Sequence, residues 1–176
     1  MMERKKIEER ANRIKLLVLD VDGVLTDGRI IMDDDGRETK NFDVKDGHGL
    51  RKIMAEGVEV ALITGRKSRV VDLRAEELGI TEIHQAVADK DALLKSIKMR
   101  KGLSANDICA LGDDIPDLAM FSHAGLVVAV GDAVPEVLAS ADYITERCGG
   151  RGAVREICDL ILRAKHGRPN KEIEAE

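Results

Sequence analysis

The chain has 176 residues, 44% hydrophobic and 35% charged, which is enough apolar mass for one packed domain and excludes general disorder. With 28 basic and 33 acidic residues the formal charge is −5, so there is no basic excess for binding nucleic acid. Aromatic content is 2%, with no Trp, so the core must be aliphatic and recognition by base stacking is excluded.

In chain order, residues 1–13 (MMERKKIEERANR) read as a charged N-terminal extension without the apolar run of a signal peptide. Ile14–Val21 is almost continuously apolar and predicts a buried strand. Arg29–Met32, the turn Asp33-Asp34-Asp35-Gly36 and Arg37–Val44 predict a β-hairpin directly after it. Asp46 reads as the N-cap of a helix over Gly49–Glu56. Further strands are expected at Val58–Ile63, Ile108–Leu111 and Leu126–Val130, the last being the longest apolar stretch and far too short to cross a bilayer. Helical spacing marks Ser68–Leu78, Lys90–Lys101, Ile115–Phe121 and Ala153–Ala164, and Pro135 can open a short helix. Residues 167–176 are polar and read as a mobile tail. The alternation predicts an α/β fold: one doubly wound, mostly parallel sheet with a hairpin insertion after the first strand.

Three cysteines, Cys109, Cys148 and Cys158, form no metal-binding spacing, and an odd count suits a reducing cytoplasm better than a disulfide framework. His84 and His123 have no His or Cys partner at metal spacing and read as surface or packed residues.

Ligands of doubly wound sheets bind beyond the carboxyl ends of the strands. The first strand ends in Asp20-Val21-Asp22-Gly23, the second in Thr64-Gly65-Arg66, and the third in Gly112-Asp113-Asp114 with Asp117 following. Lys90 opens the helix between the second and third. A lone Asp at a strand end is usually a cap, but several at one edge repel by about 4 kcal/mol per pair at 4 Å and need a counter-ion. Hard oxygen donors favour Mg²⁺ together with a phosphate group. Carboxylate, hydroxyl and ammonium side chains around such an ion suit phosphoryl transfer, in which charge compensation dominates.

The set D-x-D-G-x-x-T-D, T-G-R, a Lys and G-D-D-x-x-D, in that order from about Lys15 to Asp117, resembles the haloacid dehalogenase superfamily of phosphotransferases. The resemblance implies that Asp20 is the nucleophile and Asp22 the general acid–base. It implies that Thr64 and Lys90 bind the transferring phosphoryl oxygens. Asp113, with Asp20 and the Asp22 carbonyl, would hold Mg²⁺, and Asp114 or Asp117 would support the site from behind. Intervals of 42, 26 and 23 positions separate Asp22, Thr64, Lys90 and Asp113, leaving no room for a cap domain.

A finer likeness covers residues 14–166: Thr26-Asp27-Gly28, the hairpin, Phe42–Gly47, Ile63–Lys67 and Gly149–Glu156 resemble the capless 3-deoxy-D-manno-octulosonate 8-phosphate phosphatase family. It implies a small phosphorylated sugar acid as substrate and a homotetramer whose hairpins form a central barrel beside the sites. Arg66 and Lys67 would face the sugar acid, and Arg151 would either be solvated or reach a neighbouring site. Relatives acting on nine-carbon sialic-type acids commonly carry Glu where this chain has Arg66, which favours the eight-carbon acid. Two other classes share part of this pattern. A signalling receiver also gathers acids, Thr, Lys and Mg²⁺, but its phosphorylated Asp ends a later strand. An inactive regulatory oligomer fits poorly with a full catalytic set.

Overall fold

The computed structural model describes residues 3–167. The apolar run after Ile14 becomes β1 (Leu16–Leu19), buried at every position. Without a polar face it must be covered on both sides and flanked at both edges. It pairs in parallel with β4 (Glu59–Ile63) and with β6 (Ile108–Gly112), so Leu16 lies opposite both Glu59 and Ile108. Outward from these run β5 (Glu82–His84) beside β4, and β7 (Leu126–Ala129) then β8 (Tyr143–Ile144) beyond β6. The order β5-β4-β1-β6-β7-β8 is parallel throughout, so every strand delivers its carboxyl end to one edge.

The hairpin stands apart as a two-stranded sheet of β2 (Ile31–Met32) and β3 (Glu38–Thr39), antiparallel as expected but with shorter arms. Asp33 forms its turn: Oδ1 accepts from the backbone N–H of Asp35 and of Arg37 at 3.0 and 2.8 Å. The second arm ends at Thr39, and Val44, expected as its last residue, instead opens α2 (Val44–Ala55), capped by Asp43, whose carboxylate accepts from Lys45 N at 2.7 Å.

α2 (Val44–Ala55) therefore begins a turn and a half ahead of the expected Gly49, and Asp46 is not its cap. Gly47 and Gly49 obscure this start because glycine weakens a helical pattern. Gly49 earns its place through packing: a Cβ there would lie 2.9 Å from Arg155 Cδ and 3.1 Å from Cys158 Cβ on α7 (Ala153–Lys165). The predicted stripe of α7, Val154, Ile157, Cys158, Ile161 and Leu162, is buried as expected. Each such aliphatic side chain contributes about 1.5–3 kcal/mol on burial.

Most of the charged N-terminal segment is helical. Residues 4–13 form α1 (Arg4–Arg13), which docks on α7 through the buried Ile7 and Ala11. Arg10 anchors it by donating to Gly125 O at 2.8 Å and Asp142 Oδ2 at 3.1 Å. α3 (Arg69–Leu78) and α4 (Lys90–Lys101) match their predicted spans closely. The helix expected over Ile115–Phe121 is a 3₁₀ turn, Ile115–Asp117, continued by α5 (Leu118–Phe121). α6 (Pro135–Ser140) opens on Pro135. The tail expected over 167–176 lies, apart from Gly167, outside the described residues. Among those described, no helix is long and apolar enough to cross a membrane.

Candidate active site

The edge where β1, β4 and β6 end holds an open cleft of about 740 Å³, lined by Asp20, Asp22, Thr64, Arg66, Lys90, Asp113, Asp114 and Asp117 among others. Asp20 follows β1 directly, its N–H donating to Leu111 O at 3.3 Å, and is only 6% exposed. The chain then turns sharply: the amides of Leu25 and Thr26 both donate to Val21 O at 3.0 Å. Buried Thr26 braces the turn, its Oγ1 accepting from Gly23 N and Gly28 N at 3.4 and 3.3 Å. Gly23 sits at φ +105°, and a Cβ there would lie 2.0 Å from Asp113 Oδ2. Only glycine lets the turn and the Asp113 loop meet.

Lys90, the first residue of α4, reaches under the edge. Its buried Nζ donates to Asp20 Oδ1 and to Asp117 Oδ1, each at 2.7 Å. The other oxygen of Asp117 accepts from Asp113 N at 2.9 Å and Asp114 N at 3.2 Å. Asp117, 2% exposed, thus fixes both the lysine and the loop. Asp114 is exposed and caps the 3₁₀ turn by accepting from Ile115 N at 2.7 Å. Of the two acids expected behind the site, Asp117 is the one hydrogen-bonded to Lys90 and to the Asp113 amide.

One ligand oxygen each from Asp20, Asp113 and Asp117 lies within 4.8 Å of the others. Three carboxylates facing one ammonium leave a strongly anionic pocket. Burial first, then the charge of Asp117, pushes Asp20 up to about 7 against the opposing pull of Lys90. Burial first, then the charges of Asp20, Asp117 and Asp114, pushes Asp113 up to about 8. Burial works to lower the Lys90 pKa, but Asp20 and Asp117 outweigh it and the value rises.

Asp113 Oδ1 is buried without a hydrogen-bond partner. An orphaned anionic oxygen of this kind is costly in a native protein unless an unseen group meets it. An all-oxygen donor set at the floor of an open cleft fits Mg²⁺. Asp20 and Asp113 have oxygens free to hold it, whereas both oxygens of Asp117 are already engaged. The Asp22 carboxylate stands outside this cluster, its Oδ1 accepting from Lys40 Nζ and its Oδ2 buried without a partner.

Thr64, 2% exposed, ends β4 with its Oγ1 accepting weakly from Arg66 N at 3.4 Å, which leaves the hydroxyl proton free to donate. Arg66 is half-exposed at the rim and pairs with Glu38 at 2.7 Å. Lys67 is exposed, and neither it nor Arg151 lines the cleft of its own chain. Arg151 points to Asp27 at 3.4 Å with its side chain 66% exposed. Its glycine loop rests on the Asp22–Thr26 turn, Gly150 N donating to Val24 O at 2.9 Å. His84 and His123 pair with Glu82 and Asp91, away from the cleft, as expected of packed surface histidines.

Lys40 and Glu38 are the site-edge residues that sequence reasoning missed. Charges inside a short hairpin read as solvated, yet positions 38 and 40 share one side of an extended arm, and that spacing could have marked them.

A model of haloacid dehalogenase-like hydrolases matches residues 75–156. The chain is 44% identical over 156 residues to 3-deoxy-D-manno-octulosonate 8-phosphate phosphatase KdsC of Escherichia coli, covering 89% of this chain and 83% of that one. The crystal structure of the Yersinia pestis phosphatase of that name superposes with a TM-score of 0.89 at 42% identity, over 92% and 88% of the two chains. The Moraxella catarrhalis enzyme, solved with magnesium, phosphate and 3-deoxy-D-manno-octulosonate (KDO), superposes with a TM-score of 0.91 at 43% identity over 94% and 95%. The chain is a hydrolase of the haloacid dehalogenase superfamily and belongs within it to the 3-deoxy-D-manno-octulosonate 8-phosphate phosphatase family.

Proposed function

We propose that this protein hydrolyses 3-deoxy-D-manno-octulosonate 8-phosphate in a Mg²⁺-dependent reaction through a phosphorylated Asp20. The observation that carries this reading is the buried, under-neutralised group of Asp20, Asp113, Asp117 and Lys90, opening on a cleft with Thr64 below and Arg66 at its rim. When bound, Mg²⁺ supplies the charge that lets an anionic carboxylate approach an anionic phosphoryl group. Asp20, Asp113 and the Asp22 carbonyl are the groups that would hold it.

Asp20 attacks phosphorus as the bond to the sugar's O8 breaks, and protonated Asp22 gives its proton to that leaving oxygen. Asp22, now a carboxylate, takes a proton from water, whose oxygen attacks phosphorus and releases phosphate and free Asp20. Lys90 and the Thr64 hydroxyl stabilise the equatorial phosphoryl oxygens. Lys90 already touches Asp20 at 2.7 Å, so it follows the phosphoryl group through both steps. Arg66 suits the substrate carboxylate, since a guanidinium binds carboxylates in a planar, bidentate fashion.

Supporting a homotetramer, the hairpin exposes Ile30, Ile31 and Met32 at 63%, 38% and 59%. An apolar two-stranded ribbon is marginal alone and is stabilised by meeting copies of itself. Lys67 and Arg151, which do not line their own cleft, would then serve a neighbour's. A cytoplasmic setting suits the three free thiols.

The test is phosphate release with Mg²⁺ from eight- and nine-carbon sugar-acid phosphates, with light scattering on the same sample. Preference for the nine-carbon acid would overturn the substrate reading, and a fully active monomer would overturn the shared site.

A further inference from the structure

Lys40 is a lysine where lysine is uncommon, on a short peripheral hairpin yet with its side chain only 1% exposed. A lysine stem normally carries its ammonium out to water, and burying the charge is unfavourable unless carboxylates answer it. Two do. Nζ donates to Asp22 Oδ1 and lies 3.3 Å from Glu38 Oε1. The same Glu38 oxygen accepts from Arg66 Nη2 at 2.7 Å. Asp22, Lys40, Glu38 and Arg66 therefore form one chain of alternating charge from the proton-transfer residue to the cleft rim. Its two middle members come from the second arm of the hairpin, Glu38 in β3 and Lys40 just beyond it, outside the main sheet.

The asymmetry at each end is informative. Lys40 occupies one oxygen of Asp22 and leaves Oδ2 buried and unpartnered. At the other end Glu38 engages a single guanidinium nitrogen of Arg66, leaving the remaining N–H groups available.

We propose that Lys40 and Glu38 are positioning residues. Lys40 fixes the rotamer of Asp22 so that Oδ2 is the oxygen that gives and takes the proton. Glu38 holds Arg66 at the rim in the orientation that receives a substrate carboxylate. The Glu38 half rests on the reading of Arg66 given above, and the Lys40 half on the reading of Asp22 as the general acid–base of phosphomonoester cleavage. The hairpin is then part of the catalytic apparatus of its own chain, in addition to any role in assembly.

The experiment compares steady-state kinetics of the full-length protein with Mg²⁺ on two esters, KDO 8-phosphate and a pentose 5-phosphate that lacks a carboxylate. Lys40→Met is expected to lower kcat by about 10- to 100-fold on both esters with KM little changed, the range of a misplaced general acid–base. Lys40→Arg should recover most of that loss. Glu38→Gln should raise the KM for the sugar acid about tenfold more than for the pentose ester, the weight of one charged hydrogen bond. Added to Arg66→Ala, it should do no further harm.

Unchanged kcat in Lys40→Met would overturn the first half. Equal effects of Glu38→Gln on both esters would overturn the second and indicate a general loosening of the hairpin. Arg66→Ala separates this inference from its premise. If that variant binds the sugar acid as well as the parent does, the carboxylate reading fails together with the Glu38 half. Lys40→Met on the pentose ester still decides the first half. Circular dichroism of each variant establishes that the comparison is made between folded proteins.

Discussion

Asp46, buried at the junction of α2 and α7, and Asp113, half-buried at the sheet edge with its Oδ1 cut off from water, have opposite surroundings. Asp46 is 1% exposed, and both its oxygens are used: Oδ1 accepts from Arg155 N at 2.7 Å and Oδ2 from Gly152 N at 3.3 Å. It caps α7 from another helix, where α7 has no side-chain cap of its own. Burial, the largest influence, raises its pKa to about 6 against the pull of those two amides. Burial first, then the charges of neighbouring acids, raises Asp113 further, to about 8, and one of its oxygens meets no donor. A buried acid with satisfied oxygens ties the fold together. A buried acid with an orphaned oxygen among like charges marks the place of a cation.

The contrast can be broken by experiment. The largest effect is expected beside Asp113, where Asp20→Asn should lower phosphate release with Mg²⁺ by at least about a thousandfold, as losing a nucleophile does. Activity above that level would remove Asp20 from its role. Next, stripping the metal with EDTA should abolish turnover and lower the thermal midpoint. Mg²⁺ at about 100 times its Kd should restore about 2.7 kcal/mol of stability. Asp113→Asn should lose that response while Asp46→Asn keeps it.

Without metal, substitutions of the two aspartates should change stability in opposite directions. Asp46→Ala strands two amides at the start of α7 and should cost about 1–3 kcal/mol in chemical denaturation. Above pH 8, where Asp113 is ionised, Asp113→Asn removes an unanswered charge and should be neutral or stabilising. Destabilisation by both would erase the distinction.

The smallest and most gradual effect is on pH dependence. A carboxyl whose folded pKa exceeds its unfolded value of about 3.9 binds more protons when folded, so the fold loses stability as pH rises between the two values. For Asp46 that window closes near pH 6, and for Asp113 near pH 8. Thermal midpoints in EDTA should therefore fall from pH 4 to pH 8. Asp46→Asn should flatten the lower part of the curve, and Asp113→Asn the upper part. Saturating Mg²⁺ should flatten the upper part as well, since it favours the ionised cluster.

Much of this site was legible because parallel strands buried on both faces are continuous apolar runs, and the residues closing them are the site. Asp20, Thr64 and Asp113 could be placed from β1, β4 and β6 alone. The weak strands left no such mark. β5 is Glu-Ile-His, half-buried, and β8 is two residues long, so neither shows a run or an alternation. α1 read as an extension because only Ile7 and Ala11 of its ten residues are buried, too narrow a stripe for a periodicity argument. The capping role of Asp46 spans 109 positions to Arg155, and the pairing of Lys40 with Asp22 spans 18 across a turn. Contacts of that kind depend on how elements dock, which local spacing does not encode.

The central place of β1 also bears on synthesis. Leu16–Leu19 emerges early, yet its β6 partner Ile108 is made much later, roughly 5–20 s at about 5–20 residues per second. For that time an apolar strand waits with at most one neighbour, β4. A nascent chain that stops before Gly112 carries Asp20 but neither Asp113 nor Asp117, and so has no anionic pocket to load. The growing polypeptide acquires its chemistry only when the sheet closes around its oldest strand, and a ribosome that stalls midway releases a sticky fragment that is catalytically inert.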